Sequence, residues 1–339
     1  MTDDLVRWGI LGCSRIASTK VIPALMRAAN ATVVAVASRT PARAASIARE
    51  FGIAQTADGY DDLLSRDDID VVYISVPNSL HAEWTIRAVE GGKHVLCEKP
   101  AAHSMPACVE MTAAAHARSR LFMEGLMYRF HPQHQLVKKT IEAGDIGEVR
   151  LIRASFSFPF GSRHSTIRLD GALRGGALLD VGCYTVDVCR WLMGGEPVAA
   201  YARLTSSPNV DVDTSCVAVL EFDDDRSGLI DASFSMFRRH RYEVVGSLGM
   251  IDVPDAFVPG GSTTVRVITQ SGVARVESFE PVDQCQLEVE HFSECVRSGA
   301  DPFIRPSDSC SNARALDALR ASAASDCRVA VHPAVLPSS

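Results

Sequence analysis

The chain has 339 residues, 47% of them hydrophobic, and a formal net charge of -7. That length suits one large or two ordinary domains with real cores, and the acidic balance excludes a nucleic-acid partner, whose phosphates attract a basic surface. No apolar run approaches the roughly 20 residues of a membrane span, and the start Met1-Thr2-Asp3-Asp4 lacks the basic and apolar regions of a secretory signal, so a cytoplasmic protein without a membrane partner is expected.

Taken in order, Leu5 to Leu11 is a short, mostly apolar run that meets Gly12, after which a helical pattern opens through Ile16, Val21, Ile22, Leu25 and Met26. A strand, a glycine turn and a helix N-terminus can cradle a pyrophosphate, because the helix offers unsatisfied N–H groups and glycine lets the backbone come close. The G-x-G-x-x-G pattern is degraded to Gly12-Cys13-Ser14-Arg15-Ile16-Ala17. Taken alone, an ordinary tight turn before a helix explains it as well.

Ala31 to Ser38 reads as the second strand and Pro41 to Phe51 as the helix after it. An NAD site usually places an acid at this strand end for the ribose 2′-hydroxyl. Here stand Ser38, Arg39 and Thr40, with Arg43 one turn on; a guanidinium and hydroxyls suit a 2′-phosphate, so NADP(H) is favoured. A helical piece at Tyr60–Leu64, a buried run at Asp70–Val76, a helix over Leu80–Gly91, a strand at Lys93–Cys97, an alanine-rich helix over Ser104–Arg118 and a last strand at Leu121–Glu124 continue the alternation. This predicts a doubly wound parallel sheet over residues 1–125, with Gly12, Ser38, Pro77 and Lys99 at the strand ends where ligands bind.

From about residue 149 the texture changes to strands joined by turns: 148–158, 198–205, 214–222, 228–234, 241–245 and 263–268. The expected fold class is therefore α/β, an N-terminal Rossmann domain followed over 126–339 by an α+β domain with a large, mostly antiparallel open sheet. In Thr214–Phe222 both alternating faces carry apolar residues, so one face is expected to pack on a second subunit, giving a homodimer or homotetramer. The ten cysteines show no C-x-x-C pair and the histidines no H-E-x-x-H, so they read as reduced core residues and no metal is expected.

Two constellations can carry chemistry. Glu98-Lys99-Pro100 follows a buried strand at the ligand edge, where a lysine can stabilise a developing alkoxide and its neighbouring glutamate can hold the ammonium; a surface turn is the plainer alternative. In Gly175 to Asp187, Asp180 and Tyr184 lie four apart, one helical turn, and a tyrosine can donate a proton to a nascent alkoxide or take one from an alcohol. A dipole-favoured acid and a core aromatic would give the same spacing.

In these motifs the chain resembles the glucose-fructose oxidoreductase, inositol dehydrogenase and rhizopine-catabolism family of NAD(P)-dependent sugar oxidoreductases. The matching residues are Gly9-Ile10-Leu11-Gly12, His81 after Pro77-Asn78, Glu98-Lys99-Pro100, Met127 to Pro132, Gly144 to Glu148 and Gly176 to Tyr184, in family order. The resemblance implies Lys99 and Tyr184 as the catalytic pair and Asp180 as the substrate-orienting acid. It implies cofactor contacts from Gly12, Cys13, Ser14, Arg15, Ile16, Ser38, Arg39, Thr40, Pro77, Asn78, His81, Glu98 and Lys99. Tyrosine at 184 is typical of a branch that includes NADP-dependent xylose and dihydrodiol dehydrogenases and nucleotide-sugar 3-ketoreductases, and the sequence is most like the last. The implied substrate is a 3-keto nucleotide-sugar of deoxysugar biosynthesis, with a free aldose, a dihydrodiol, or a non-catalytic NADP-sensing role as alternatives. Arg168, Arg174 and Arg238, the last in the run Arg238-Arg239-His240-Arg241, can hold a diphosphate; a solvated charge cluster is the simpler reading of that run.

Overall fold

The computed structural model describes residues 5–160 and 167–331. The expectation drawn from Met1 to Asp4 lies outside them. The chain forms two compact units: one runs through Met127 and takes in Asp283–Cys310, the other holds Tyr128–Val282 and continues from Ser311. A single cut after residue 125 does not provide for the return of Asp283–Cys310 to the first unit.

Unit one carries a six-stranded, all-parallel sheet in the order β3-β2-β1-β4-β5-β6. Its strands are β1 (Val6–Leu11), β2 (Ala31–Ala37), β3 (Gln55–Thr56), β4 (Val71–Ile74), β5 (His94–Glu98) and β6 (Phe122–Gly125). The connecting helices are α1 (Ile22–Arg27), α2 (Pro41–Phe51), α3 (Tyr60–Leu64), α4 (His81–Glu90) and α5 (Met105–Ala117). The order reverses between β1 and β4, which is the switch point at which such sheets bind ligands. Val71 to Ile74 are all buried, as a strand covered on both faces demands.

The first helix departs from the simple periodic pattern. Residues Ala17–Val21 form a π-helical turn before α1. Its wider i→i+5 turn rotates the residues before it against those after it. Val21, Ile22 and Leu25 are buried, whereas Met26, expected on the same stripe, lies at its edge and is 53% exposed.

A helix from the far end of the sequence, α8 (Gln284–Ser298), completes unit one. Cys285, Val289, Phe292 and Cys295 form its buried stripe. Asp283 caps it by accepting from Cys285 N and Gln286 N, and Gly299 ends it at φ 72°. It packs on β1, where Trp8 donates to Ser293 Oγ at 3.1 Å and meets the Phe292 ring at 6.0 Å.

Unit two is built on a nine-stranded sheet in the order β14-β13-β12-β11-β7-β10-β9-β8-β15. Its strands are β7 (Val149–Ser157), β8 (Ala199–Thr205), β9 (Ser215–Glu221), β10 (Ser227–Ser233), β11 (Arg239–Gly246), β12 (Gly249–Val253), β13 (Thr263–Thr269), β14 (Gly272–Phe279) and β15 (Val329–Ala330). All pairs are antiparallel except β7 with β10. Helices α6 (Pro132–Glu142) and α7 (Cys183–Met193) belong to this unit, and α9 (Pro306–Ser325) ends in it. α7 packs on β7 and β10 and is buried along nearly its whole length. Among the described residues, no helix is long and apolar enough to cross a membrane.

Candidate active site

The first set of expected residues sits at the carboxyl edge of the unit-one sheet. Gly12 has φ +105°, and a Cβ there would lie 3.1 Å from the backbone of Ser75. Glycine is therefore required at this turn by conformation and by space. The turn is fixed to both neighbouring strand ends: Gly12 N donates to Ala37 O at 3.0 Å and Ser75 Oγ donates to Gly12 O at 2.9 Å. Ser14, at the second glycine position, accepts from Ala17 N at 3.1 Å, and Ala17, at the third, is fully buried. Cys13 is half-buried, and burial pushes its thiol pKa up.

At the end of β2, Ser38 Oγ accepts from Thr40 N at 3.2 Å, Arg39 and Thr40 are exposed, and Arg43 Nε donates to Cys13 O at 3.4 Å. That bond brings the Arg43 guanidinium back to the dinucleotide turn. The cradle left by Gly12 and the hydroxyl and guanidinium groups at 38, 39 and 43 fit a phosphorylated dinucleotide.

Lys99 is half-buried in a turn whose neighbours are all pinned. Before it, Glu98 Oε1 accepts from the buried Tyr73 hydroxyl at 2.6 Å. After it comes the cis Lys99–Pro100 bond, and then Ala101 N, which donates to the buried Glu124 Oε1 at 2.8 Å. His81 lies 1% exposed between two carbonyls, with Nδ1 2.8 Å from Pro100 O and Nε2 2.9 Å from Val76 O. Burial lowers its pKa, so the neutral ring donates to one of them. Its contacts thus join the Pro77–Asn78 turn to the lysine turn.

The second set belongs to unit two. Asp180 lies in a π-helical turn, Leu178–Gly182, that precedes α7, and Tyr184 lies in the first turn of α7. The expected regular α-helical spacing of four is thus interrupted by the wider turn, and both residues are 9% exposed or less. Arg168 Nε donates to Asp180 Oδ2 at 2.7 Å, which orients the carboxylate. The Tyr184 ring is nested among Phe156 at 5.4 Å, Phe257 at 5.6 Å and Tyr128 at 5.9 Å.

The groups that hold this helix lie outside the motif. Asp213, from the connection before β9, accepts from Leu178 N at 2.7 Å, and its carbonyl accepts from Ala177 N at 2.9 Å. Gly176 has φ +112° and a would-be Cβ pressed against Asp213 Oδ1, and Gly175 leaves room for Arg168 O. One turn past Tyr184, the fully buried Asp187 accepts from Tyr128 OH at 2.5 Å and from Arg129 at 2.9 and 2.6 Å. Arg129 also lies under the Trp191 ring at 4.9 Å. The Tyr128-Arg129 pair thus locks α7 in place through a buried, fully hydrogen-bonded ion pair.

The basic run is largely neutralised within the sheet. Arg239 pairs with Asp231, and Arg241 with Asp252 at 2.6 Å and Glu243 at 3.2 Å, while Arg238 is exposed. Arg174 takes up a left-handed turn at φ 58° next to Gly175.

Comparison with known proteins agrees with both halves. Residues 6–126 match an oxidoreductase family with an NAD-binding Rossmann fold, and residues 134–252 match the GFO/IDH/MocA C-terminal domain. D-xylose 1-dehydrogenase (NADP(+)) 2 of Haloferax volcanii is 35% identical over 93% of this chain and 97% of its own. The chain belongs to the GFO/IDH/MocA family. It is an NAD(P)-dependent oxidoreductase. Another GFO/IDH/MocA relative, dTDP-3,4-didehydro-2,6-dideoxy-alpha-D-glucose 3-reductase of Actinomadura kijaniata, is 34% identical over 94% of this chain and 96% of its own. The crystal structure of a 3-ketoreductase from the same organism in complex with NADP and TDP-benzene superposes with a TM-score of 0.87, at 33% identity, covering 94% of this chain and 98% of that one.

Proposed function

We propose that this chain uses NADPH to reduce a 3-keto nucleotide-sugar. The observation that carries the reading is that Lys99 and Tyr184 both stand in rigidly supported settings of a family member similar to dTDP-sugar 3-reductases. NADP rather than NAD is supported by the end of β2, where Ser38, Arg39 and Arg43 stand and no acid would repel a 2′-phosphate. In this assignment the unit that runs through Met127 and takes in Asp283–Cys310 holds the cofactor, and the other unit binds substrate and a second subunit. Its location is the cytoplasm, where NADP(H) exchanges freely.

When bound, the nicotinamide supplies the hydride. Tyr184 gives its phenolic proton to the oxygen of the carbon being reduced. Lys99 places an ammonium charge against the negative charge that develops on that oxygen. Asp180, held by Arg168, orients a neighbouring hydroxyl.

Lys99→Ala and Tyr184→Phe are each expected to lower kcat by at least about a hundred-fold while leaving the NADPH dissociation constant within about two-fold. Near-normal turnover in both variants would overturn the roles. The substrate is tested by steady-state rates with dTDP-linked ketosugars against free aldoses. A second reading, oxidation of a free aldose with NADP, is favoured by the similarity to the xylose dehydrogenase; higher kcat/KM on aldoses would establish it. NADPH binding without turnover of either class would establish a sensor.

A further inference from the structure

The aromatic neighbours of Tyr184 continue beyond its own nest. Phe156, Phe158 and Phe160 occupy alternate positions along β7 and its extension, so they share one face. Ring centroids are 5.4 Å apart from Tyr184 to Phe156, 6.4 Å from Phe156 to Phe158 and 6.0 Å from Phe158 to Phe160. Phe234, just past β10, stands 5.5 Å from both Phe158 and Phe160. Phe158 N donates to Ser233 O at 3.0 Å and Phe160 N to Phe234 O at 2.8 Å, which prolongs the parallel β7–β10 ladder and fixes the row.

Burial changes along the row. Phe156 and Phe234 are 7% and 4% exposed, whereas Phe158 and Phe160 are only half-buried. A row that merely completed the core would end buried; this one opens to solvent as it leaves Tyr184. Two arginines lie on neighbouring segments of the same unit: Arg168, bonded to Asp180 in the turn before α7, and the exposed Arg238, just before β11. The Arg238 segment is tied to the end of β7, where Ser157 Oγ donates to Phe237 O at 2.7 Å.

We propose that Phe158 and Phe160 form a stacking platform for the base of a nucleoside diphosphate sugar, and so distinguish nucleotide-linked from free sugars. The inference rests on the nucleotide-sugar reading above. A base presents a flat π face to a ring, and stacking of this kind tolerates any base. A sugar, two phosphates and a ribose separate the reacting carbon from the base, so the base belongs at the far end of the row. The diphosphate is an anion that arginines such as Arg168 and Arg238 suit.

The test is calorimetric titration of the NADP-loaded protein with dTDP. In the Phe158→Leu/Phe160→Leu double variant, which keeps apolar volume but removes both ring faces, the dTDP dissociation constant is expected to rise about ten-fold or more. NADPH affinity is expected to stay unchanged, and Phe158→Trp/Phe160→Trp to bind dTDP at least ten-fold more tightly than the leucine variant. Wild-type affinity in the leucine variant, or equal weakening in the tryptophan variant, would overturn the platform and leave the nucleotide-sugar reading standing. Absence of binding of dTDP, UDP and GDP to the wild-type protein at millimolar concentration would overturn that reading and the platform with it.

Discussion

His134 shows how much single residues here depend on their surroundings. It is fully buried on α6, with Nδ1 2.7 Å from the Tyr242 hydroxyl and Nε2 3.0 Å from Ala256 O. The neutral ring satisfies both, accepting from the tyrosine and donating to the carbonyl, and burial pushes its pKa from 6.5 down to about 3. The native state therefore refuses a proton that the unfolded chain accepts below about pH 6.5. Its contribution to stability is complete above that pH and is lost as pH falls toward the folded value, at about 1.4 kcal/mol per pH unit. Denaturant unfolding at pH 7, 6 and 5 is expected to show a slope smaller by about one proton in His134→Gln than in the wild type; identical slopes would contradict this protonation state. The residues proposed to act, Lys99 and Tyr184, could be singled out in the sequence because they come inside short motifs. The residues that hold them could not, since Glu124 is 23 positions from Ala101, Asp213 is 35 from Leu178 and Asp187 is 59 from Tyr128. No local pattern links such pairs.

Among elements, both functional helices open with a π turn, Ala17–Val21 in unit one and Leu178–Gly182 in unit two. Such turns leave carbonyls and N–H groups poorly paired, so their starts need external partners. Asp213 is that partner for the helix bearing Tyr184. Asp213→Ala is expected to cost about 1 kcal/mol of stability, as loss of a capping carboxylate does, and to lower kcat while NADPH affinity holds. Asp213→Asn, which retains an acceptor oxygen, should recover most of both. Gly176→Ala should be worse than either, by about 1–3 kcal/mol, because it combines a strained φ of +112° with a Cβ placed against the Asp213 carboxylate. Thermal unfolding with steady-state kinetics on the three variants checks the ranking, and an Asp213→Ala protein with wild-type kcat would remove Asp213 from the site. Most strands and the helices up to residue 117 could be placed from periodicity to within a residue or two. The π turns could not, because one extra residue in a turn leaves composition unchanged and only rotates the residues before it against those after it.

At the scale of the whole molecule, the outer face of the large sheet bears on assembly. In β9, Cys216, Ala218 and Leu220 are buried, while Val217 is 57% exposed. Val219 lies between Tyr201 of β8 and Leu229 of β10 in register, so apolar side chains meet across three strands on the open face. Light scattering is expected to give a dimer or tetramer, and Val219→Asp, which sets a carboxylate between Tyr201 and Leu229, to shift it toward monomer. A wild-type monomer would overturn this.

Local periodicity and short motifs were enough to specify the parallel, strand-helix order of unit one, the switch to a mostly antiparallel sheet and the glycine turn, and to single out Lys99 and Tyr184 as candidates. Three further features emerged only once the chain had folded. Helix α8 returns from residue 284 to cover β1, Asp213 and Asp187 fix the tyrosine helix, and the basic run is mostly paired with carboxylates of its own sheet. Each is a pairing between distant residues, chosen by which buried polar and apolar surfaces must find partners once the strands have assembled.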